Sequence, residues 1–333
     1  MTDHKMWHTP KRLVVVSGIV MDIMMYIETL PPRGGDVMAR VGKITPGGAF
    51  NVIAAASRLC LPAAYAGRVG SGMFGQWIRR ELAGMGVETL GTMAAEPRGD
   101  TGFDVALVEP SGERTFVTAL GAEAEMTDEH VQSIGLKPGD AVYISGYDLL
   151  SRDSGRALRG WVTHLPWSHL VIFDPGPLVG QISGPILDAI LERVDIFSAN
   201  RRESEILTGC ETACEGASQV KHLLRPGAWS IVRDGARGAW LCGDAAGARH
   251  IPGRKTHAVD TTGAGDVHAA AVVARLAAGR TMIQAVREAN VAASLAVERE
   301  GPAEGPWLDE LESLLEQALP MARVRKCGES KDS

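Results

Sequence analysis

Short apolar runs alternate with longer stretches of helical periodicity along most of this chain. Leu13-Val14-Val15-Val16, Ala141-Val142-Tyr143-Ile144, Leu170-Val171-Ile172-Phe173 and Ser230-Ile231-Val232 carry no polar alternation, the pattern of strands buried on both faces. Apolar residues at helical spacing predict helices over 51–59, 74–85, 186–193, 264–277 and 282–297. Alternating strands and helices imply a mainly parallel, doubly wound sheet flanked by helices, an α/β fold. Two segments, 23–45 and 101–119, break this pattern. The second contains Val105-Ala106-Leu107-Val108, a turn at Glu109-Pro110-Ser111-Gly112, and Arg114-Thr115-Phe116-Val117, which together read as a hairpin. Strands that leave a doubly wound sheet near the carboxyl ends of its strands cover the ligand crevice there, so these segments are expected to form a small lid.

Composition narrows the class. The chain has 333 residues, 45% of them hydrophobic, and a net charge of -6 from 34 basic and 40 acidic residues spread along it. No basic stripe for nucleic acid emerges. No run approaches the roughly 20 apolar residues that span a bilayer, and residues 1–12 are polar, so no membrane partner and a cytoplasmic location are expected. Five cysteines without framework spacing (Cys60, Cys210, Cys214, Cys242 and Cys327) are expected to be reduced. One domain over 12–320 is expected, with flexible termini at 1–11 and 321–333.

The chemistry concentrates in Asp260-Thr261-Thr262-Gly263-Ala264-Gly265-Asp266, which opens the helix 264–277. Glycines there let amide N–H groups converge at a helix N-terminus, where the dipole adds positive charge and an anion is stabilised. A carboxylate beside an anion site is repulsive unless it does chemistry, such as taking the proton of an attacking hydroxyl. An isolated Gly-x-Gly-Asp would read as a helix cap; seven residues in this order say more.

The stretch resembles the second signature of the ribokinase (PfkB) family of carbohydrate kinases. The resemblance implies a ribokinase-like fold and a kinase that uses ATP and Mg²⁺, with Asp266 as base and the amides of Gly263, Ala264 and Gly265 as anion hole. Further motifs follow in family order. Asp22 resembles the aspartate that binds substrate hydroxyls, and Gly47-Gly48-Ala49-Phe50-Asn51 resembles the first signature, implying that Gly47, Gly48 and Asn51 also bind substrate. Asn200-Arg201-Arg202-Glu203 resembles the Asn-x-x-Glu motif, with Asn200 near the nucleotide phosphates and Glu203 holding Mg²⁺ through water. Arg233, Gly235 and Gly238 resemble the strand-turn-strand beside the nucleotide, and Asn290 a residue lining the adenine pocket. Asp260 and Thr262 match positions whose oxygens bind K⁺ in the family. In many members two lids pack into a homodimer, which is expected here.

Departures limit what the resemblance says of the substrate. Ile53 and Cys60 stand where the first signature has small residues, Val20-Met21 precede Asp22 where ribokinase has an asparagine, and Asp174-Pro175-Gly176-Pro177 lacks the asparagine and arginine of many relatives. Residues 143–147 and 107–116 resemble an uncharacterised enterobacterial sugar-kinase subgroup. A small sugar is favoured; a nucleoside kinase and a non-catalytic nucleotide- or sugar-binding regulator remain as alternatives. Gly70-Ser71-Gly72-Met73-Phe74-Gly75 spells Gly-x-Gly-x-x-Gly, but Glu88, roughly placed for the dinucleotide fold's acidic residue, precedes no clear strand end. The P-loop pattern is absent, in keeping with an anion hole built from backbone amides.

Overall fold

The computed structural model describes residues 8–91, 99–111, 113–243, 247–302, 304–317 and 325–326. Its strands are β1 (Arg12–Val15), β2 (Met21–Tyr26), β3 (Arg40–Pro46), β4 (Ala63–Tyr65), β5 (Glu88–Thr89), β6 (Phe103–Val108) and β7 (Arg114–Ala119). They continue with β8 (Asp140–Ser145), β9 (Leu170–Asp174), β10 (Ile196–Asn200), β11 (Trp229–Arg233), β12 (Gly238–Cys242), β13 (Arg249–Pro252) and β14 (Arg325–Lys326). Ten of them form one sheet in the order β14-β13-β12-β11-β10-β9-β8-β1-β4-β5, parallel from β11 to β5 and antiparallel from β11 to β14. Four make a separate sheet, β3-β2-β6-β7.

The uniformly apolar strands are buried on both faces, as their pattern predicts. Leu13 and Val15 pack with the helices Ala49–Arg58, Ala264–Ala277 and Met282–Ala296. Val14 and Val16 point the other way, toward the helices Arg152–Thr163 and Gly184–Arg193. Period-two alternation within a strand thus divides one run between two cores. The helix Ala264–Ala277 is buried nearly all round, and alanines at 269, 270, 271 and 274 meet alanines at 285, 289, 292 and 296 of its neighbour. Small side chains permit this close approach and hold the start of the helix, Asp266 included, against the sheet.

The separate sheet takes β2 and β3 from residues 21–46 and β6 and β7 from residues 103–119. β2 runs beside β6 in parallel, with Asp22 level with Asp104 and Ile23 with Val105, while β3 and β7 flank them antiparallel. Alternation gives this sheet two faces. Asp22, Asp104, Phe116 and Thr118 turn toward a cavity above the main sheet, and Met24, Ala106 and Val108 form a small core on that side. Ile23, Met25, Val105, Leu107 and Val117 share the outer face, where Val117 is 62% and Val41 54% exposed.

Most of the termini expected to be flexible, and Cys327, lie outside the described residues; within the tail, Arg325–Lys326 pairs with β13. Cys60, Cys210 and Cys242 take part in no disulfide, whereas Cys214 is disulfide-bonded. That corrects the expectation of five reduced cysteines, since spacing along a chain carries no information on which side chains a fold brings together. Among the described residues no helix is long and apolar enough to cross a membrane.

Candidate active site

Asp266 lies in the first turn of the helix Ala264–Ala277, whose N-cap Gly263 has φ 74°, a left-handed conformation that disfavours any side chain. Ala264 N–H closes the turn onto Thr261 O at 3.3 Å. The amides of Gly263 and Gly265 donate to no acceptor among the described residues, so two of the three proposed anion-hole donors stand free at a helix N-terminus. Gly265 has its own steric reason: a Cβ there would lie 2.9 Å from the Arg233 guanidinium.

Asn51 Nδ2 donates to Asp266 Oδ2 at 3.0 Å. Its Oδ1 is buried without a partner, leaving an acceptor for a substrate hydroxyl while the amide orients the carboxylate. Burial raises the Asp266 carboxyl to about 7, the hydrogen bond from Asn51 working against this and the charge of Asp174 with it. A carboxyl poised near neutrality is a competent general base.

Asp266 forms part of the wall of a cavity of about 380 Å³ that Asp22, Gly48, Asn51, Asp104, Tyr143 and Asp148 also line. Gly47 is obligatory because a Cβ would fall 2.1 Å from the Asp22 carboxylate, and Gly48 because its φ is 57° and a Cβ would meet Gly18 O at 2.9 Å. The two glycines therefore let the chain pass under Asp22 and set its carboxylate over the cavity.

Asp104, which the motifs did not mark, faces Asp22 across β2 and β6. Burial, and then Asp104, hold the Asp22 carboxyl well above the ordinary range, and burial raises Asp104 to about 6. Asp104 Oδ1 is buried without a hydrogen-bond partner, so with Asp22 and Asn51 it offers the cavity several acceptors for hydroxyls. The available signal was a lone aspartate in an otherwise apolar strand. Asp148 lies deeper, accepting from Ser17 Oγ at 2.5 Å and Gly18 N at 2.9 Å, and anchors the end of β1.

A second cavity of about 350 Å³, lined by Gly235, Gly238, His268, Asn290, Ala293 and Val297 among others, adjoins the first. The two share Asn200, Arg233 and Gly265, so a group passing between their contents crosses that seam. Gly235 and Gly238 have φ 58° and 97°, and a Cβ on Gly238 would lie 2.2 Å from Ile251 O. Asn290 is buried in the wall, donating to Ile251 O at 3.0 Å and pairing with His268 Nε2 at 3.2 Å. Burial lowers His268 to about 3, so it adds no charge to this pocket, and the charged side chains of its lining, Arg233 and Arg254, are paired with Asp174 and Glu298.

At the seam Arg233 donates to Gly265 O and to Asp174 Oδ2, each at 3.0 Å, and lies 3.6 Å from Glu203. The cationic contact missing from the 174–178 segment is thus supplied from β11. Asn200 and Glu203 form a reciprocal capping box on the helix Arg201–Thr208, with Asn200 N–H and Nδ2 each 2.7 Å from the Glu203 oxygens. Burial, then Asp174, raises the Glu203 carboxyl. Among the described residues no three metal-binding side chains converge closely enough to bind an ion directly. Glu203, buried at the seam, is a carboxylate that could hold through water an ion that keeps several waters, as Mg²⁺ does.

Asp260 and Thr262 sit at the start of the same turn, where Asp260 Oδ1 accepts from Thr262 N at 2.8 Å and Oδ2 from Gly301 N at 3.1 Å. The 70–75 glycine stretch leads into the helix Met73–Gly84. Its helix N-terminus holds Asp100, whose carboxylate accepts from Phe74 N and Gly75 N at 2.8 Å each.

Comparison with known proteins agrees with this geometry. The chain is 34% identical over 310 residues to an uncharacterized sugar kinase, YegV, of Escherichia coli K12, covering 91% of this chain and 94% of that one. It is 29% identical to a ribokinase of Arabidopsis thaliana over 88% of this chain and 78% of the relative. The structure of an Arabidopsis thaliana ribokinase complexed with ribose and ATP superposes with a TM-score of 0.73 at 25% identity, over 92% of this chain and 99% of the other. Residues 11–309 match the pfkB family carbohydrate kinases; with two cavities meeting at a glycine turn and a buried aspartate, this chain belongs to that family of ATP-dependent kinases.

Proposed function

We propose that this kinase transfers the γ-phosphoryl group of ATP to a hydroxyl, a primary one, of a small neutral sugar, with Asp266 as general base. The observation that carries this reading is the position of Asp266, between a carboxylate- and amide-lined cavity and the free amides of Gly263 and Gly265. Asp22, Asp104 and Asn51 orient the sugar by its hydroxyls. Asp266 takes the proton of the attacking hydroxyl; the oxygen forms a bond to the γ-phosphorus as the bond to ADP breaks. The Gly263 and Gly265 amides, with the helix dipole, stabilise the charge on the transferred group. The second cavity, lined by Gly235, Gly238 and Asn290, would receive ATP, and Glu203 would hold Mg²⁺ through water at the seam, which would supply positive charge against the phosphates.

Sugar is favoured over nucleoside because the first cavity is lined by side chains suited to hydroxyls, including Ser17, Thr118, Glu123 and Ser145 with the aspartates. A base would bury polar groups it cannot satisfy there. The test is ADP release with ATP and a panel of pentoses, hexoses, sugar acids and nucleosides. Turnover of a neutral sugar is expected; preference for a nucleoside would assign a nucleoside kinase, and ATP binding without turnover on any member would leave a regulator.

Replacing Glu203 with Gln is expected to raise the Mg²⁺ concentration for half-maximal rate by about tenfold, with little change in sugar KM, since its role is to hold the metal's waters. Loss of sugar affinity at unchanged Mg²⁺ dependence would remove Glu203 from the metal site. The outer lid face supports a homodimer in which two lids bury each other's Ile23, Val105 and Val117 and close over bound sugar.

A further inference from the structure

A K⁺ ion at Asp260 and Thr262 would need carboxylate oxygens free to coordinate it and no other cation beside them, whereas three of the about four lone-pair sites of Asp260 are engaged, one of them by an arginine. Besides the amides of Thr262 and Gly301, Asp260 Oδ1 accepts from Arg114 Nη2 at 2.7 Å. The Asp260 side chain is 3% and the Arg114 side chain 19% exposed, and no other cationic side chain among the described residues forms an ion pair with Asp260. The residues do not fit a monovalent ion as they stand. Its charge is already present, delivered by the protein.

The origin of that charge is the lid. Arg114 opens β7 and lies on the same inner face as Phe116 and Thr118, opposite Val108 at the far end of the hairpin. Tyr26, next to Val108 in register, donates to Glu300 at 2.8 Å, one residue before Gly301. The base of the lid thus carries the sugar-facing pair Asp22 and Asp104, and its tip is fastened to the loop that holds Asp260. Asp260 in turn caps the turn that leads into Gly263 and Gly265.

We propose that Arg114 is a positioning residue that supplies, from the lid, the positive charge a monovalent cation would otherwise bring to the Asp260 turn, so that seating the lid over sugar also orders the anion hole. The inference rests on the kinase reading for its catalytic consequence, but the charge substitution itself can be measured without turnover. Breaking a buried ion pair leaves an uncompensated charge, and a small cation can then enter the vacated space.

The experiment compares the parent protein, Arg114→Ala and Arg114→Lys in KCl and in tetramethylammonium chloride at equal ionic strength, reading Tm without ligands and then kcat and KM. The parent is expected to show the same Tm and rate in both salts. Arg114→Ala should melt about 5 °C or more below it in tetramethylammonium, regain much of that loss in KCl, and show a kcat at least about tenfold below the parent that KCl restores. Arg114→Lys should stay near the parent in both salts. A parent protein activated or stabilised by K⁺ overturns the proposal, as does an Arg114→Ala protein indistinguishable from the parent in tetramethylammonium. Equal damage in both variants that KCl leaves unchanged also overturns it, by assigning Arg114 to lid folding alone. If no substrate turns over, the kinase reading fails while the Tm comparison still decides the charge substitution.

Discussion

Asp266→Asn is expected to lower kcat by about 10²-fold to 10⁴-fold, the usual cost of removing a general base, while ATP still binds and the fold is kept. The amide is isosteric and can still meet Asn51, so a fall in rate would report lost basicity. The pH profile sharpens the test. Asp266 must be ionised to accept a proton, and its carboxyl sits at about 7, so kcat/KM of the parent should fall as pH drops through that value; the variant should lack this limb.

Stability should move the opposite way. The folded-state value is raised from 3.8 to about 7 by burial. Between those pH values the folded protein binds a proton that the unfolded chain does not, so this group's contribution to stability declines as pH rises across that window and is least above 7. Asp266→Asn removes the buried charge and should be more stable than the parent at pH 8, by on the order of 1–3 kcal/mol once cavity water is allowed for, and no more stable below pH 4. Near-parent turnover, or an acid limb that survives in the variant, would take the base role away from Asp266.

Val105→Asp should convert a dimer into monomers and raise the sugar KM. Val105 lies on the outer lid face, level with Ile23 on one side and Val117 on the other, and a charge there would be buried unpaired against the second lid. Such a burial costs about 3–5 kcal/mol, which corresponds to a rise of about 10²-fold to 10⁴-fold in the dimer dissociation constant. Light scattering gives the mass, and steady-state kinetics the KM. A parent protein that is monomeric, or a Val105→Asp protein that dimerises with unchanged KM, would refute the clasp. Asp104, one residue before Val105, already places a carboxylate on the inner face, so alternation alone separates a tolerated charge from a disruptive one.

The layered α/β architecture was legible because its strands are buried on both faces and its helices on one, patterns that recur within a few residues. The turn that ends in Asp266 was legible for a similar local reason: positive φ at Gly263 and converging amides are demanded by neighbours in the chain. Gly47, Gly48, Gly235 and Gly238 belong with it, although the atoms that exclude a Cβ at Gly47, Gly48 and Gly238 lie in other segments. The identity of those atoms came only from the fold.

Tertiary structure alone decided which charges meet. Asp104 pairs with Asp22 because β2 and β6 lie side by side in register, not because of anything adjacent to either residue. Arg233 reaches Asp174 across 59 positions, and Arg114 reaches Asp260 across 146, filling a charge that the motif by itself would assign to an ion. Backbone geometry and side-chain periodicity are properties of short segments and can be read from residue types in order. The partner of a buried charge is set by strand order, register and the docking of the lid, which are properties of the whole chain.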